Sequence, residues 1–147
     1  MKLRWFGGDY DANMYPDTPD KVKDVTFMDD KGVGIYTGDV IDGQRHGRGV
    51  MIWKHYVTQS NQPIVNVKYG GEWKENMMSG YGKILYSEGH WYEGQFEKNN
   101  MHGRGKYKSK KGLLFEGYWV MNIYKGREGE RVLLTTKSDD VDDQDQL

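Results

Sequence analysis

Three glycines stand 23 residues apart: Gly71, Gly94 and Gly117. Each occupies the same frame of aromatic, x, Gly, x, aromatic: Tyr69-Gly70-Gly71-Glu72-Trp73, Tyr92-Glu93-Gly94-Gln95-Phe96 and Phe115-Glu116-Gly117-Tyr118-Trp119. Nine residues after each comes a second glycine, Gly80, Gly103 or Gly126, and a third register, Gly82 and Gly105, breaks at Glu128. A fixed period of this size marks an array of small supersecondary units, none of which can bury its own apolar face alone. Two weaker copies lie upstream. Tyr36-Thr37-Gly38-Asp39-Val40 leads to His46-Gly47-Arg48-Gly49, and Phe6-Gly7-Gly8-Asp9-Tyr10 opens the first copy. The copies therefore start near 6, 36, 69, 92 and 115, the last degenerate, with extra residues near 15–22 and 55–67. The array is expected to fill residues 1–137, leaving 138–147 as an acidic, disordered tail.

One unit reads as a β-hairpin. Alternation of aromatic and charged residues has the period of a strand, which places Tyr69, Gly71 and Trp73 on one face and Glu72 and Lys74 on the other. Glu75 to Gly80 is read as the loop, Tyr81 to Tyr86 as the return strand and Ser87-Glu88-Gly89 as the next turn. A glycine between two rings lets neighbouring rings close over the backbone, which offsets its weak strand propensity. Stacked hairpins give an all-β, elongated, single-layer twisted antiparallel meander of about five repeats. Composition agrees. The chain has 20 glycines but also 11 Tyr, 5 Trp and 4 Phe, so it is no linker, and 36% hydrophobic residues is low for a thick-cored globule.

The pattern Tyr-x-Gly-x-Trp/Phe, then a loop, then Gly-x-Gly, resembles the MORN (membrane occupation and recognition nexus) repeat. Tyr69–Tyr86 and Tyr92–Tyr107 carry the likeness best, and His46-Gly47-Arg48-Gly49 and His102-Gly103-Arg104-Gly105 are similar to the family's recurrent His-Gly-x-Gly. The resemblance implies a curved sheet of hairpins, in some members closed by a short C-terminal cap, without catalytic activity, used for scaffolding, protein contact and in some members membrane association. Family members occur in ciliary radial-spoke heads, junctional membrane proteins and parasite cytoskeletal proteins. Others are joined to separate enzyme domains.

The chemical inventory supports no enzyme. With no Cys there is no thiol nucleophile, disulfide or Cys-type metal site. His46, His55, His90 and His102 lie too far apart in sequence for a local metal pair. His46 and His102 hold equivalent repeat positions, which points to a structural hydrogen bond. Gly47-Arg48-Gly49 and Gly103-Arg104-Gly105 lack the strand-to-helix setting of a phosphate loop. Asp29-Asp30 reads as a solvated turn pair. No catalytic, metal or cofactor residue is assigned, and no cofactor is expected.

Three surfaces are candidates for binding. The first is aromatic: Tyr36, Tyr69, Trp73, Tyr92, Phe96, Phe115 and Trp119. These rings form the core of a thin sheet, or in part a groove that grips a partner helix or peptide. The second is basic. Residues 98–137 hold ten bases against three acids, and within them Arg104, Lys106, Lys108, Lys110 and Lys111 are candidate contacts for an acidic protein or an anionic lipid. The third is the pair of insertions. In the second, Val57, Ile64, Val65 and Val67 are apolar enough to lengthen a hairpin rather than form a loose loop. The tail, 138–147, is either solubilising or a short acidic docking strip. Net charge is −1, so nucleic acid is not expected.

The resulting expectation is an intracellular scaffold or accessory subunit, axonemal or otherwise cytoskeletal by resemblance, that binds proteins and pairs with itself through open sheet ends. The alternatives are a peripheral adaptor on anionic lipid through residues 98–131, and a regulatory domain or subunit associated with a separate enzyme. No apolar run approaches the length of a membrane span, and Met1–Tyr10 lacks the apolar stretch of a signal peptide. The repeat glycines are assigned structural roles: Gly8, Gly38, Gly47, Gly49, Gly71, Gly80, Gly82, Gly94, Gly103, Gly105, Gly117 and Gly126.

Overall fold

The computed structural model of the chain describes residues 19–58, 61 and 63–127. The copy read at Phe6–Met14 with Gly8, most of the 15–22 insertion, any C-terminal cap and the acidic tail lie outside the described residues. The rest form one antiparallel sheet of nine strands whose spatial order follows the sequence. The strands are β1 (Asp20–Asp29), β2 (Gly32–Ile41), β3 (Gln44–Val57), β4 (Pro63–Lys74), β5 (Met77–Leu85), β6 (Trp91–Glu97), β7 (Asn100–Lys108), β8 (Leu114–Val120) and β9 (Ile123–Gly126). The described residues contain no helix. The expected all-β single-layer meander is the fold observed.

The glycine registers follow from one contact. The ring of Tyr69 lies over Gly82 on the neighbouring strand, where a Cβ would strike the phenol. Its Oη donates to the Glu72 carbonyl at 2.7 Å. Tyr36 covers Gly49 and donates to the Asp39 carbonyl at 2.6 Å, and Tyr92 covers Gly105 and donates to the Gln95 carbonyl at 2.8 Å. Cross-strand pairing joins Gly38, Gly49, Gly71, Gly82, Gly94, Gly105 and Gly117 into one row across β2 to β8. The rings above that row meet edge to face in a continuous series. Centroids are 5.6 Å apart for Tyr36–Trp73, 5.0 Å for Trp73–Tyr69, 5.1 Å for Tyr69–Phe96, 5.1 Å for Phe96–Tyr92 and 5.4 Å for Tyr92–Trp119. Such pairs contribute about 1 kcal/mol each beyond their buried area. The indoles add hydrogen bonds, Trp73 Nε1 to the Gly49 carbonyl and Trp119 Nε1 to the Gly105 carbonyl, both at 3.1 Å.

The second glycine register has a different cause. Gly47, Gly80 and Gly103 have φ of 70°, 64° and 103°, and the side chains of Asp39, Glu72 and Gln95 fold over them. Those three side chains accept the amide N–H nine residues further on: Arg48 at 3.0 Å, Tyr81 at 2.9 Å and Arg104 at 2.6 Å. A side chain at the glycine would collide with this acceptor.

The hairpin turns are tighter than the loop read between Glu75 and Gly80. Glu75-Asn76, Lys98-Asn99 and Met121-Asn122 are two-residue turns with both residues left-handed, as a type I′ turn requires. The return strand accordingly starts at Met77 rather than Tyr81. Each asparagine also reaches back to the preceding repeat. Its Oδ1 accepts from the backbone N–H of Arg45, Met78 or Met101, at 2.8 Å in each case. Its own N–H donates to the carbonyl of that same residue, at 2.9 to 3.0 Å.

The excess residues of the second insertion extend a hairpin: β3 and β4 pair out to Val57 and Pro63. Tyr56 and Ile64 turn inward there, and the Tyr56 ring packs edge to face on Trp53 at 5.1 Å and on Tyr86 at 6.0 Å. Asp20 to Val22 open β1, a strand not read from the sequence, in which Val22 faces Gly38 where later repeats place glycine.

Two tests follow. Asn99→Ala loses both the side-chain acceptor and the favoured left-handed conformation, and is expected to lower stability by about 2 kcal/mol in urea unfolding. Asn99→Gly keeps the conformation and is expected to fall between the two. The second test is alkaline. Burial, then the Asp39 carboxylate, push Tyr36 up to about 12, and burial pushes Tyr56, Tyr69, Tyr86 and Tyr92 higher still. Unfolded tyrosines ionise near 10, so folding favours the neutral form. That stability is fully present below pH ~10 and is lost by about 1.4 kcal/mol per pH unit per tyrosine above it. The urea midpoint should be flat below pH ~10 and collapse by pH ~12; a flat profile across that window would contradict the buried ring series.

Candidate functional site

The two faces of the sheet differ. Of the seven candidate aromatics, Tyr36, Tyr69, Trp73, Tyr92, Phe96 and Trp119 are at most 5% exposed, and Phe115 is half-buried against the same cluster. The structure therefore places them in the core, closed on one another, rather than along an open groove. What remains open is the opposite face.

Cross-strand register orders that outer face into rows. One runs Ile35, Ile52, Lys68, Leu85, Trp91, Lys108, Leu114 from β2 to β8. Beside it runs Thr37, Val50, Gly70, Lys83, Glu93, Lys106, Glu116. Ile52, Leu85 and Leu114 are exposed, as are Val50, Tyr81 and Tyr118. The rows thus mix apolar side chains with alternating charges. Lys83 lies over the Trp91 ring at 4.8 Å and Tyr81 donates to the Glu93 carboxylate at 2.8 Å, a bond that, ahead of burial, raises the Tyr81 phenol above its ordinary value. Two open hollows share Tyr81 and Glu93 as their divide. One, of about 510 Å³, is lined by Arg48, Val50, Lys83 and a floor of glycine backbone; the other, of about 320 Å³, by Arg104, Lys106 and Glu116.

The five candidate bases do not form one unopposed patch. Arg104 spreads over the Tyr118 ring at 5.1 Å. Lys106 stands between Glu93 and Glu116, and Lys108 between Trp91 and Leu114. Lys110 pairs with Glu88 at 3.4 Å, and Lys111 is exposed in the β7–β8 turn.

The motif-like residues have structural partners. His46 Nδ1 accepts the Glu75 N–H at 3.4 Å and His102 Nδ1 accepts the Met121 N–H at 3.3 Å, the repeat hydrogen bond expected of them. In Gly47-Arg48-Gly49 and Gly103-Arg104-Gly105 the central N–H is already taken by Asp39 or Gln95, so it is not offered to a phosphate. Among the described residues no three His, Asp or Glu side chains converge as a metal site, and no helix is long and apolar enough to cross a membrane.

Asp29 departs from the solvated turn pair read in the sequence. It accepts from the Lys31 N–H at 2.9 Å and the Trp53 indole at 3.2 Å, and pairs with Arg45 at 2.9 Å. Arg45 is 1% exposed and sits between Trp73, 4.5 Å from its guanidinium, and Phe27, at 5.1 Å. It occupies the position held by Met78 and Met101 in the next two repeats, opposite the turn asparagine. The register could have exposed this substitution of a cation for an apolar residue; the part-buried carboxylate opposite it had no sequence signal.

The geometry defines a β-hairpin repeat protein with one face closed by its own rings and the other presented. The MORN repeat family matches residues 36–54, 69–91 and 92–113, and the chain is a MORN-repeat protein. Repeats of this family mediate protein or membrane-lipid interaction. No curated protein matches the chain.

Removing Arg45 tests its ion pair with Asp29. Arg45→Ala takes the guanidinium from Asp29, which keeps only the Lys31 N–H and the Trp53 indole, and opens a cavity; it is expected to cost about 3 kcal/mol. Arg45→Met restores the residue used at the equivalent positions and is expected to cost less. Equal losses in urea unfolding would show that the ion pair, not the packing, sets the cost.

Proposed function

We propose that the protein is a non-enzymatic docking scaffold, an accessory subunit of a larger protein assembly, that engages its partner through the outer face of the sheet. The observation behind this reading is the asymmetry of the faces. The aromatic face is consumed in folding, while the outer face exposes Ile52, Tyr81, Leu85, Leu114 and Tyr118 among mixed charges. Exposed apolar groups with a polar surround mark contact surfaces. The polar groups there do not converge: the hollows are open, and Tyr81 and Glu93 engage each other. An intracellular setting in a ciliary or other cytoskeletal assembly is the one the family resemblance suggests. The interleaving of Lys106 with Glu93 and Glu116 favours a protein partner over an anionic bilayer, which rewards an unopposed basic cluster.

Cross-linking the protein in its native assembly is expected to join Lys68, Lys83, Lys106 or Lys108 to a stoichiometric partner. The double variant Leu85→Asp, Leu114→Asp should lose that partner while remaining folded. Vesicles of phosphatidylserine and phosphatidylcholine should not retain the protein at physiological salt. Partner retention by the double variant, or association with the vesicles alone, would overturn the reading.

A further inference from the structure

The reason for glycine differs from place to place in this sheet, and at one position the fold supplies none. At Gly34, Gly38, Gly49, Gly71, Gly82, Gly94, Gly105 and Gly117 a Cβ would collide with the neighbouring strand or a tyrosine ring. Gly47, Gly80 and Gly103 combine positive φ with an acceptor side chain overhead. Gly43, Gly89 and Gly112 have positive φ in turns. Gly70 has neither constraint. It lies inside β4, its φ is not positive, and an added Cβ would meet only Val50 Cγ2, at an ordinary 3.6 Å. Glycine in a strand interior weakens the strand, so its use here calls for a reason outside folding.

The outer face provides one. Val50, Gly70 and Lys83 are consecutive cross-strand neighbours, so Gly70 is the gap in a row otherwise filled by side chains. The gap is part of the floor of the 510 Å³ hollow. Val50 and the exposed Tyr81 ring give that hollow apolar walls. Arg48 and Lys83 give it two cations against one carboxylate, Glu93, which Tyr81 already holds. Arg48 makes no ion pair among the described residues. The hollow is open, so it suits a side chain delivered by a macromolecule better than a free small ligand, which would stay largely hydrated there.

We propose that the hollow over Gly70 is a socket for one bulky aromatic side chain carried by an acidic segment of the partner protein. This rests on the reading of the outer face as the docking surface and names the chemistry it accepts. The ring enters between Val50 and Tyr81, where Arg48 and Lys83 can approach its face, and the flanking carboxylates meet the same two cations. Aromatic anchors in such gaps dominate protein interfaces, and the surrounding charges set orientation and salt dependence.

The test uses the full chain and three fluorescein-labelled peptides: a Trp flanked by Glu and Asp, the same peptide with Ala for Trp, and Trp flanked by Lys. Anisotropy titration should show salt-sensitive binding of the first and at least ~10-fold weaker binding of the other two. Gly70→Val should weaken the first peptide by ~10-fold or more with its thermal midpoint at or above that of the parent. Gly70→Ala, which adds only the tolerated Cβ, and Arg48→Glu should weaken it too, and they keep the test valid if the valine variant does not fold. Failure of the acidic Trp peptide to bind, equal binding of either control, or full binding by the Gly70 variants would overturn the socket. Retention of the native partner by Gly70→Val but not by Leu85→Asp, Leu114→Asp would remove the socket and leave the docking face. Retention by both would remove both.

Discussion

The fold depends on a phenol ring laid over a glycine of the next strand. A single sheet in water has no second layer to cover its apolar face, so its rings must cover one another and the backbone beneath them. Tyr36, Tyr69 and Tyr92 do this by lying flat enough for the hydroxyl to reach a carbonyl of its own strand, three residues on. Each then needs a missing side chain at Gly49, Gly82 or Gly105. Placed upright instead, the rings would leave gaps between them and keep their hydroxyls in water. The pairing of aromatic with glycine is thus a steric requirement that each strand places on its neighbour, and it repeats because each hairpin meets the next in the same way.

This arrangement makes stability a sum of nearest-neighbour terms. The turn asparagines strengthen that coupling. Asn76, Asn99 and Asn122 fix their own turns and pair both backbone groups of a residue in the preceding repeat. One side chain therefore supports a conformation within its repeat and a contact between repeats. Arg45 varies the pattern at the N-terminal side, where β1 lacks the ring-and-glycine unit. A guanidinium between Trp73 and Phe27, held by Asp29 and Asn76, fills the place that methionine fills further on.

Much of this was legible because period and residue type coincided. Gly71, Gly94 and Gly117 with their flanking rings announced the hairpin, its faces and the closing of rings over glycine. His46 and His102 announced a repeated hydrogen bond. Other features were hidden for physical reasons. In the sequence Gly80 looks like a turn glycine and extends the expected loop from Glu75 to Gly80; its positive φ instead serves the overhead Glu72 carboxylate within a strand. The strand Asp20–Asp29 has no glycine register and a bulge between Val22 and Val25, so its alternation is broken. The sequence leaves core and groove both open for the rings, because a pattern gives the face of a residue but not what covers that face; in the structure they close on one another as core.

The division between the faces also separates what the repeat fixes from what it leaves free. On the aromatic side nearly every residue is specified by a neighbour across the strand gap, and a change there is a change in stability. On the outer side the same register imposes only spacing, about 4.8 Å from one strand to the next. Ile52, Lys68, Leu85 and Trp91 follow one another in a single row with no common chemistry. A family motif therefore describes the face that folds and is silent about the chemistry of the face left open. Specificity in such a protein has to be sought in the residues that break the repeat without a structural cause, and Gly70, where Glu93 and Glu116 stand in the corresponding positions of the next two repeats, is the one such glycine in the described strands.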